Sequence, residues 1–287
     1  MALLVRGNSG PTVGQMRCDT GGFQRLAALV KQISGMNFEN NPKNRSLFAA
    51  RLLRLMQTHE AVSYDDLIFL IRSNDTLSQE VIETLTTGKT NFFREIQHFN
   101  FLANQLQTLT NIRTASVKLD FRIWCAAAST GEEVYSYIFT YFETLGNNNL
   151  PLKLLATDIN TDSLRTAKKG KYSKEKMMAV DESIRRNYFD RKDNCYQVKP
   201  FYRNLISFVP FNLTMVKNYQ FSGTFDMISC RNVLYYFEQE TAQQVITNLT
   251  RYLAPGGYLI LGLSESGFCQ SPHLKLVGNS IYQKDEK

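Results

Sequence analysis

The stretch "FRIWCAAASTGEE" (residues 121–133) decides the fold. It opens as an apolar run of strand length, stops in three alanines, a serine, a threonine and a glycine, and then two carboxylates open a helical stretch from Glu132 to Leu145. A second apolar run, "LKLLATD" (152–158), completes the beat of a β-α-β unit. The beat repeats with a helix after Asn160, the strand "FDMISC" (225–230), a helix from Gln239 to Leu253, and "GYLILGL" (257–263). Apolar strands joined by helices imply an α/β fold with a parallel sheet covered on both faces.

Working outward, residues 1–22 are rich in Gly, Ser and Thr without apolar periodicity and are expected to form a loose leader. Helical spacing then runs over 23–34, 44–58, 64–71 and 77–85. In the second of these, Phe48, Leu52, Leu55 and Met56 share one face, and Arg51 and Arg54 lie on the other. The spacing predicts an N-terminal all-helical domain over 23–88, ending where Gly88 breaks the pattern in "TTGKTNFFRE". The sheet domain would occupy 89–287, with a helix from Phe92 to about Leu109. Two hairpin-like segments, "CYQVKPFY" and "LISFVPF", predict a small antiparallel β insertion at about 190–209.

Composition narrows the function classes. The five cysteines of this 287-residue chain are odd in number and contain no C-x-x-C pair, which excludes a disulfide framework and a zinc site. The histidines, His59, His98 and His273, lie far apart in sequence and are expected to be ordinary surface or half-buried residues, so no metal site is expected. No apolar run is long enough to span a membrane, and "MALLV" is too short for a secretory signal, which predicts a cytoplasmic protein. The net charge of +7 is concentrated in residues 161–205, where twelve Lys and Arg face six Asp and Glu; this block suits an acidic partner.

In open α/β sheets, ligands bind beyond the carboxyl ends of the strands. Here those ends carry the small-residue turn Ala126 to Gly131, then Glu132 and Glu133, then Asp158, Asn212 and Asn232. Asp158 fits bidentate bonding to the two hydroxyls of a ribose, and equally the N-cap of the next helix. The turn lacks G-x-G-x-x-G, and acids at the start of a helix disfavour a pyrophosphate. A cationic nucleoside fits better. S-adenosylmethionine has that description, and Glu133 could hold its ammonium. The late segment "YLAPGGYLILG" (252–262) adds a helix, a Pro-Gly-Gly turn and a strand in the order found near the end of methyltransferase sheets.

Together "TNFFRE" (90–95), "WCAAASTGEEVYS" (124–136), "ATDIN" (156–160), "PFNL" (210–213) and "CRNVLYYF" (230–237) resemble the motif series of the chemotaxis receptor methyltransferases, the CheR family. They come in family order from about residue 23 to the end. The resemblance implies a helical N-terminal domain, a Rossmann-like class I methyltransferase sheet and an inserted antiparallel β-subdomain. It also implies methyl transfer from S-adenosylmethionine to glutamates on the cytoplasmic helices of chemoreceptors. By motif, Thr90 and Arg94 would contact the cofactor, Glu133 its amino-acid end and Asp158 the ribose. Ala127 stands in the turn, Asn212 and Leu213 would flank the adenine, and Asn232 and Val233 would run along the methionine. Arg94 and Tyr236 would line the place where the substrate carboxylate arrives; their plainer roles are a surface ion pair and aromatic packing. Arg51 and Arg54 would meet the receptor, or simply be solvated. Where the family usually has an asparagine, this chain has Gly88, which implies weaker cofactor binding. The segment "DRKDNCYQV" (190–198) is short and lacks the glycine of members that tether to the receptor's C-terminal peptide, so no tether is expected. An RNA or small-molecule methyltransferase, and a non-catalytic cofactor-binding receptor partner, remain the alternatives; the basic block lacks the aromatic pattern of an RNA module, and no nucleic acid is expected.

Overall fold

The computed structural model describes residues 10–86, 88–113, 120–146, 151–218 and 221–286. The chain divides into two compact units, Met1–Thr87 and Gly88–Lys287.

The first unit holds α1 (Val13–Cys18), α2 (Thr20–Ser34), α3 (Pro42–Thr58), α4 (Tyr64–Ser73) and α5 (Asp75–Leu85). Side-chain oxygens of Asp19, Asn41, Ser63 and Asn74 cap α2 to α5 by accepting a backbone N–H of the first turn, and Pro42 opens α3 where its missing N–H costs nothing. The α3 stripe Phe48, Leu52 and Met56 is fully buried, each contributing roughly 1.5–3 kcal/mol relative to exposure. The leader ends earlier than the composition suggests. Thr12 and Gln15 form a reciprocal capping box that starts α1, and Met16 buries itself from that short helix. Arg51 is also not the free cation expected: its Nη1 donates to the carbonyls of Leu85 and Thr86 at 2.7 and 3.2 Å, closing the C-terminus of α5. Arg54 is exposed.

The second unit runs α6 (Gln97–Arg113), β1 (Phe121–Cys125), α7 (Glu132–Leu145), β2 (Leu152–Asp158), α8 (Thr161–Lys169), β3 (Lys171–Ser173), α9 (Lys174–Met177), α10 (Glu182–Tyr188), β4 (Phe189–Lys192), β5 (Cys195–Val198), α11 (Pro200–Arg203), β6 (Ile206–Pro210), β7 (Phe225–Cys230), α12 (Gln239–Arg251), β8 (Leu253–Leu261), β9 (Leu274–Gly278) and β10 (Ile281–Lys284). The main sheet has the order β6-β2-β1-β7-β8-β10-β9, parallel from β6 to β8 and antiparallel at β10 and β9. Strand order therefore reverses between β1 and β7. Trp124 sits fully buried on β1, donates Nε1–H to Thr157 Oγ1 at 2.9 Å, and packs on Phe211, Phe221 and Phe225.

Three sequence expectations change here. The insertion is the antiparallel sheet β3-β5-β4, so it begins at Lys171 rather than at about residue 190, and "LISFVPF" is not part of it. Its strand, β6, pairs in parallel with β2 from Leu154↔Ile206 to Asp158↔Pro210. An edge strand tolerates the proline and the half-exposed pattern that made the segment look detached. The helix expected from Phe92 starts instead at Gln97, because Phe93 and Glu95 hold φ of 53° and 57°, which a right-handed helix excludes.

The third concerns His98, which is buried in the first turn of α6. Its Nε2 lies 2.7 Å from the carbonyl of Asn279, so that nitrogen carries the proton and donates. Asn279 and Ser280 are the two left-handed residues (φ 50° and 57°) of the tight turn joining β9 to β10. Nδ1 has no hydrogen-bond partner. Burial, together with the Arg231 charge, holds the imidazole below its ordinary value of 6.5. The unfolded chain then takes up a proton that the folded chain refuses, so stability falls as pH drops through that value. Urea unfolding from about pH 7.5 to about pH 5.5 is expected to show a steeper loss in the parent than in His98→Gln, by up to about 1.4 kcal/mol per pH unit. Equal slopes would remove His98 from the acid response.

Candidate functional site

The turn after β1 is stitched to its neighbours by backbone and side-chain bonds. Ala126 donates its N–H to Ser229 O at 2.7 Å and Ala128 to Thr157 O at 2.9 Å, so residues 126–131 span the ends of β2 and β7 where the strand order reverses. Gly131 ends the turn at φ 93°; a Cβ there would sit 2.8 Å from the Ala167 Cβ, so the position admits glycine only. Ala127 is half-buried in this turn.

At the end of β2 the two readings of Asp158 separate. The N-cap of α8 is Asn160, whose Oδ1 accepts from Ser163 N at 2.8 Å. Asp158 instead faces the turn: Oδ2 accepts from Ser129 N and Oδ1 from Asn160 N, both at 2.8 Å. Burial pushes its carboxyl up, opposed by the N–H groups of Asn160, Ser129 and Ile159. A carboxylate has about four acceptor sites, so those bonds do not exhaust it. Phe211 N donates to Asp158 O at 2.9 Å, which places Asn212 and the buried Leu213 just beyond it. Asn212 Oδ1 accepts from the Thr214 N–H and hydroxyl, and so its side chain is oriented from within its own turn.

Glu132 and Glu133 are neighbours in sequence but point to different surroundings, as successive helical residues must. Glu132 is fully buried against the small sheet side, where Thr130 Oγ1 donates to it at 2.6 Å and Lys176 pairs with it. Glu133 faces the strand ends. Its Oε1 accepts from Ser229 Oγ at 2.6 Å and its Oε2 from Arg231 Nη1 at 2.8 Å. Arg231 is buried and splits its fork: Nη2 donates to Glu95 Oε2 at 3.1 Å and to the carbonyl of Arg94. Burial would lower its pKa, but the Glu133 and Glu95 carboxylates raise it. Burial likewise opposes the ionised Glu95, and Arg231 with the Asn232 amide nevertheless holds its carboxyl below the usual range.

Asn232 and Val233 follow Arg231 in a turn that needs a left-handed residue, and Asn232 supplies it at φ 58°. The turn is built on Glu265, fully buried, which accepts from the N–H groups of Asn232 and Leu234 at 2.7 Å each and of Gly262 at 2.9 Å. Tyr236 is half-buried with its ring 4.5 Å from that of Tyr235, and Tyr235 in turn feels the Arg94 charge. Arg94 closes its own loop by donating to Lys89 O at 3.0 Å. That loop is anchored by its two phenylalanines: Phe92 packs on Phe139, Tyr172 and Phe189, and Phe93 on Phe99, while Phe93 N donates to Ser136 Oγ at 2.9 Å. Thr90 is half-buried in the same loop. Gly88 opens toward Ser129, whose buried Oγ has no hydrogen-bond partner.

The structure thus brings Gly88, Arg94, Ala127, Glu133, Asp158, Asn212, Leu213, Asn232 and Val233 to the carboxyl ends of β1, β2, β6 and β7, with Arg51 and Arg54 in the other unit. Sequence reasoning missed Arg231, Glu95, Glu265 and Ser129, although each lies in or next to a quoted motif. Two carboxylates, Glu95 and Glu133, share one buried guanidinium, which leaves the cluster formally anionic. A cation is the complementary ligand, and the unpartnered Ser129 hydroxyl is a polar group for it to meet. The donor set therefore fits S-adenosylmethionine. Among the described residues, no group of three or more His, Cys, Asp or Glu is placed to hold a metal, and no helix is long and apolar enough to cross a membrane.

Comparison with known proteins agrees with this geometry. Residues 88–282 match the CheR methyltransferase S-adenosylmethionine-binding domain, and residues 21–86 its all-alpha domain. A chemotaxis protein methyltransferase of Escherichia coli (strain K12) is 32% identical over 266 residues, covering 91% of this chain and 89% of its own length. One from Borreliella burgdorferi is 33% identical over 269 residues, covering 92% and 94%. With a cofactor-binding sheet unit and a helical unit both matched, and relatives about a third identical over most of both chains, this chain belongs to the CheR methyltransferase family.

Proposed function

We propose that this protein methylates glutamate side chains on the cytoplasmic helices of chemoreceptors, acts in the cytoplasm, and works without a C-terminal receptor tether. The observation that carries the reading is the part-buried Glu95–Arg231–Glu133 cluster, formally anionic at the strand ends of a unit that matches an S-adenosylmethionine-binding domain. S-adenosylmethionine, when bound, supplies an electrophilic methyl on a positive sulfur and leaves as S-adenosylhomocysteine. In this reading Glu133 takes the ammonium, Asp158 the ribose hydroxyls, and Asn212 with Leu213 the adenine. Asn232 and Val233 line the methionine portion, Ala127 lets backbone approach, and Thr90 with Arg94 closes the crevice.

The chain's own groups then have little bond-making to assist. A glutamate is ionised at neutral pH, its unperturbed pKa being about 4.3, so no general base is needed to prepare the nucleophile. This fits a site where His98, beside Glu95, is occupied with Asn279. The carboxylate oxygen gains the methyl as the carbon–sulfur bond breaks, and its electron pair stays on sulfur. Opposite charges vanish together, so alignment and exclusion of water provide most of the acceleration. Arg94 and Tyr236 orient the incoming carboxylate. A tighter grip by Arg94 would stabilise the ground state and slow the transfer. The short turn of Asp193 and Asn194 between β4 and β5 supports tether-independent action.

Removing Asp158 should be the most direct test of the nucleoside site. Asp158→Ala is expected to weaken S-adenosylhomocysteine binding by about 100-fold or more in calorimetry, the loss of two charge-assisted hydrogen bonds; unchanged affinity would withdraw the ribose assignment. Incubation with methyl-labelled cofactor and separate receptor and RNA preparations is expected to give base-labile label on receptor alone, whereas label on RNA would install the alternative activity and no label a non-catalytic one. Arg54→Glu is expected to lower receptor methylation several-fold with cofactor affinity intact, since it reverses an exposed charge facing an acidic helix. Equal rates would dissociate α3 from the receptor.

A further inference from the structure

We infer that Arg231 is a positioning residue for methyl transfer: one buried guanidinium fixes Glu133 for the cofactor's ammonium and holds the 90–95 loop in register with it. The inference rests on the reading of Glu133 as the ammonium's partner. Nη1 reaches Glu133 Oε2 at 2.8 Å on α7, and Nη2 reaches the carbonyl of Arg94 and Glu95 Oε2 on the loop. These groups are contributed by segments about 100 residues or more upstream of Arg231, which itself follows β7. No other described side chain hydrogen-bonds both Glu133 and that loop.

The geometry of the fork is what does this. A guanidinium presents its N–H groups in fixed, divergent directions, so orienting Nη1 on Glu133 also determines where Nη2 offers its protons. The fork is itself immobilised: the side chain is fully buried and its guanidinium carbon lies 5.6 Å from the centre of the Phe99 ring. Glu133 is held from the other side by Ser229 Oγ, which accepts in turn from Tyr137 OH at 3.1 Å. Its carboxylate is thereby locked with 12% of the side chain exposed, while Glu95 keeps 16%. The cation does not quench the site, because the two carboxylates outnumber it. Arg231 thus supplies direction and leaves the negative charge for the ligand. Without it, Glu95 and Glu133 would face each other as like charges, and the Arg94 carbonyl would lose its donor, freeing the loop that carries Thr90 and Arg94.

A lysine keeps the charge but offers a single ammonium, which cannot hold both directions. The test is a double-mutant cycle on Glu133→Gln and Arg231→Lys, with S-adenosylhomocysteine affinity read by calorimetry, kcat and KM read on receptor, and the thermal midpoint read on each ligand-free protein. Each single variant is expected to weaken binding by about tenfold and lower kcat, and the loss in the double variant to fall well short of the product of the two, because Arg231 acts in part through Glu133. A merely structural role would move the thermal midpoint and give losses that multiply, and that result overturns the inference. Affinity lost in Glu133→Gln but retained in Arg231→Lys overturns the inference alone; affinity unchanged in Glu133→Gln overturns the ammonium reading and the inference together. Should Arg231→Lys not fold, the isosteric Glu95→Gln, which removes the negative surplus and weakens one of the loop's two contacts with Nη2, is expected to weaken binding about threefold to tenfold at low salt, and unchanged affinity there again overturns it.

Discussion

A charge leaves water only if something in the interior replaces its hydration, and Arg231 is the group on which this chain spends that requirement. Its counter-charges come from the start of α7 and from the loop before α6, so satisfying one guanidinium fixes three segments at the carboxyl ends of the strands. Glu265 does the same for the segment after β7 by collecting backbone N–H groups instead of a cation. The groups at these strand ends are therefore held by bonds within the chain itself. Positioning of this kind matters for a reaction whose acceleration comes from alignment rather than from proton transfer.

The same arrangement selects the sign of the ligand. Phosphate sites at the first turn of an α/β sheet use free backbone N–H groups at a helix N-terminus. Here Glu132 and Glu133 occupy that first turn, and the N–H of Ser129 is committed to Asp158. What the turn offers instead is backbone without side-chain bulk at Ala126 to Ala128 and carboxylates on both flanks. A dianionic ligand would have to displace bonds already made, whereas a cation completes them.

Much of this was legible in the residue order, and the failures have physical causes. The parallel strands were clear because they are buried on both faces, which leaves an uninterrupted apolar run. β6 was misread for the complementary reason: as an edge strand it is only partly covered, and its half-exposed pattern resembles a hairpin. Asp158 was ambiguous because a carboxylate after a strand caps helices and binds riboses equally well; only the geometry shows that Asn160 has taken the capping role. Arg231 stood inside a quoted motif, but nothing near it in the sequence marked it as buried. Its partners Glu95 and Glu133 lie 136 and 98 residues away, and a buried arginine looks like a surface one until the fold supplies its counter-charges. Arg51 erred in the opposite direction, since a cation opposite an apolar stripe reads as solvated, yet its length lets it reach the open carbonyls of α5. The α1 helix did have a signal, the T-x-x-Q capping box, but six residues are too few for periodicity to register.

Gly88 stands where the resemblance leads one to expect an asparagine, and the structure gives the position a local context. A side chain at this position would begin with a Cβ 3.1 Å from Ser129 Oγ, closer than an undisturbed neighbour allows, so the volume an asparagine would fill borders the Ser129 hydroxyl. That hydroxyl is buried, lacks a hydrogen-bond partner, and sits on a residue whose left-handed backbone (φ 48°) is fixed by its N–H to Asp158. A buried hydroxyl without a partner is costly unless a ligand satisfies it. The glycine therefore leaves open volume beside a buried hydroxyl whose own backbone N–H is bound to Asp158. The wall beside Gly88 is therefore not apolar, because the Ser129 hydroxyl remains there as a polar group for a ligand to meet.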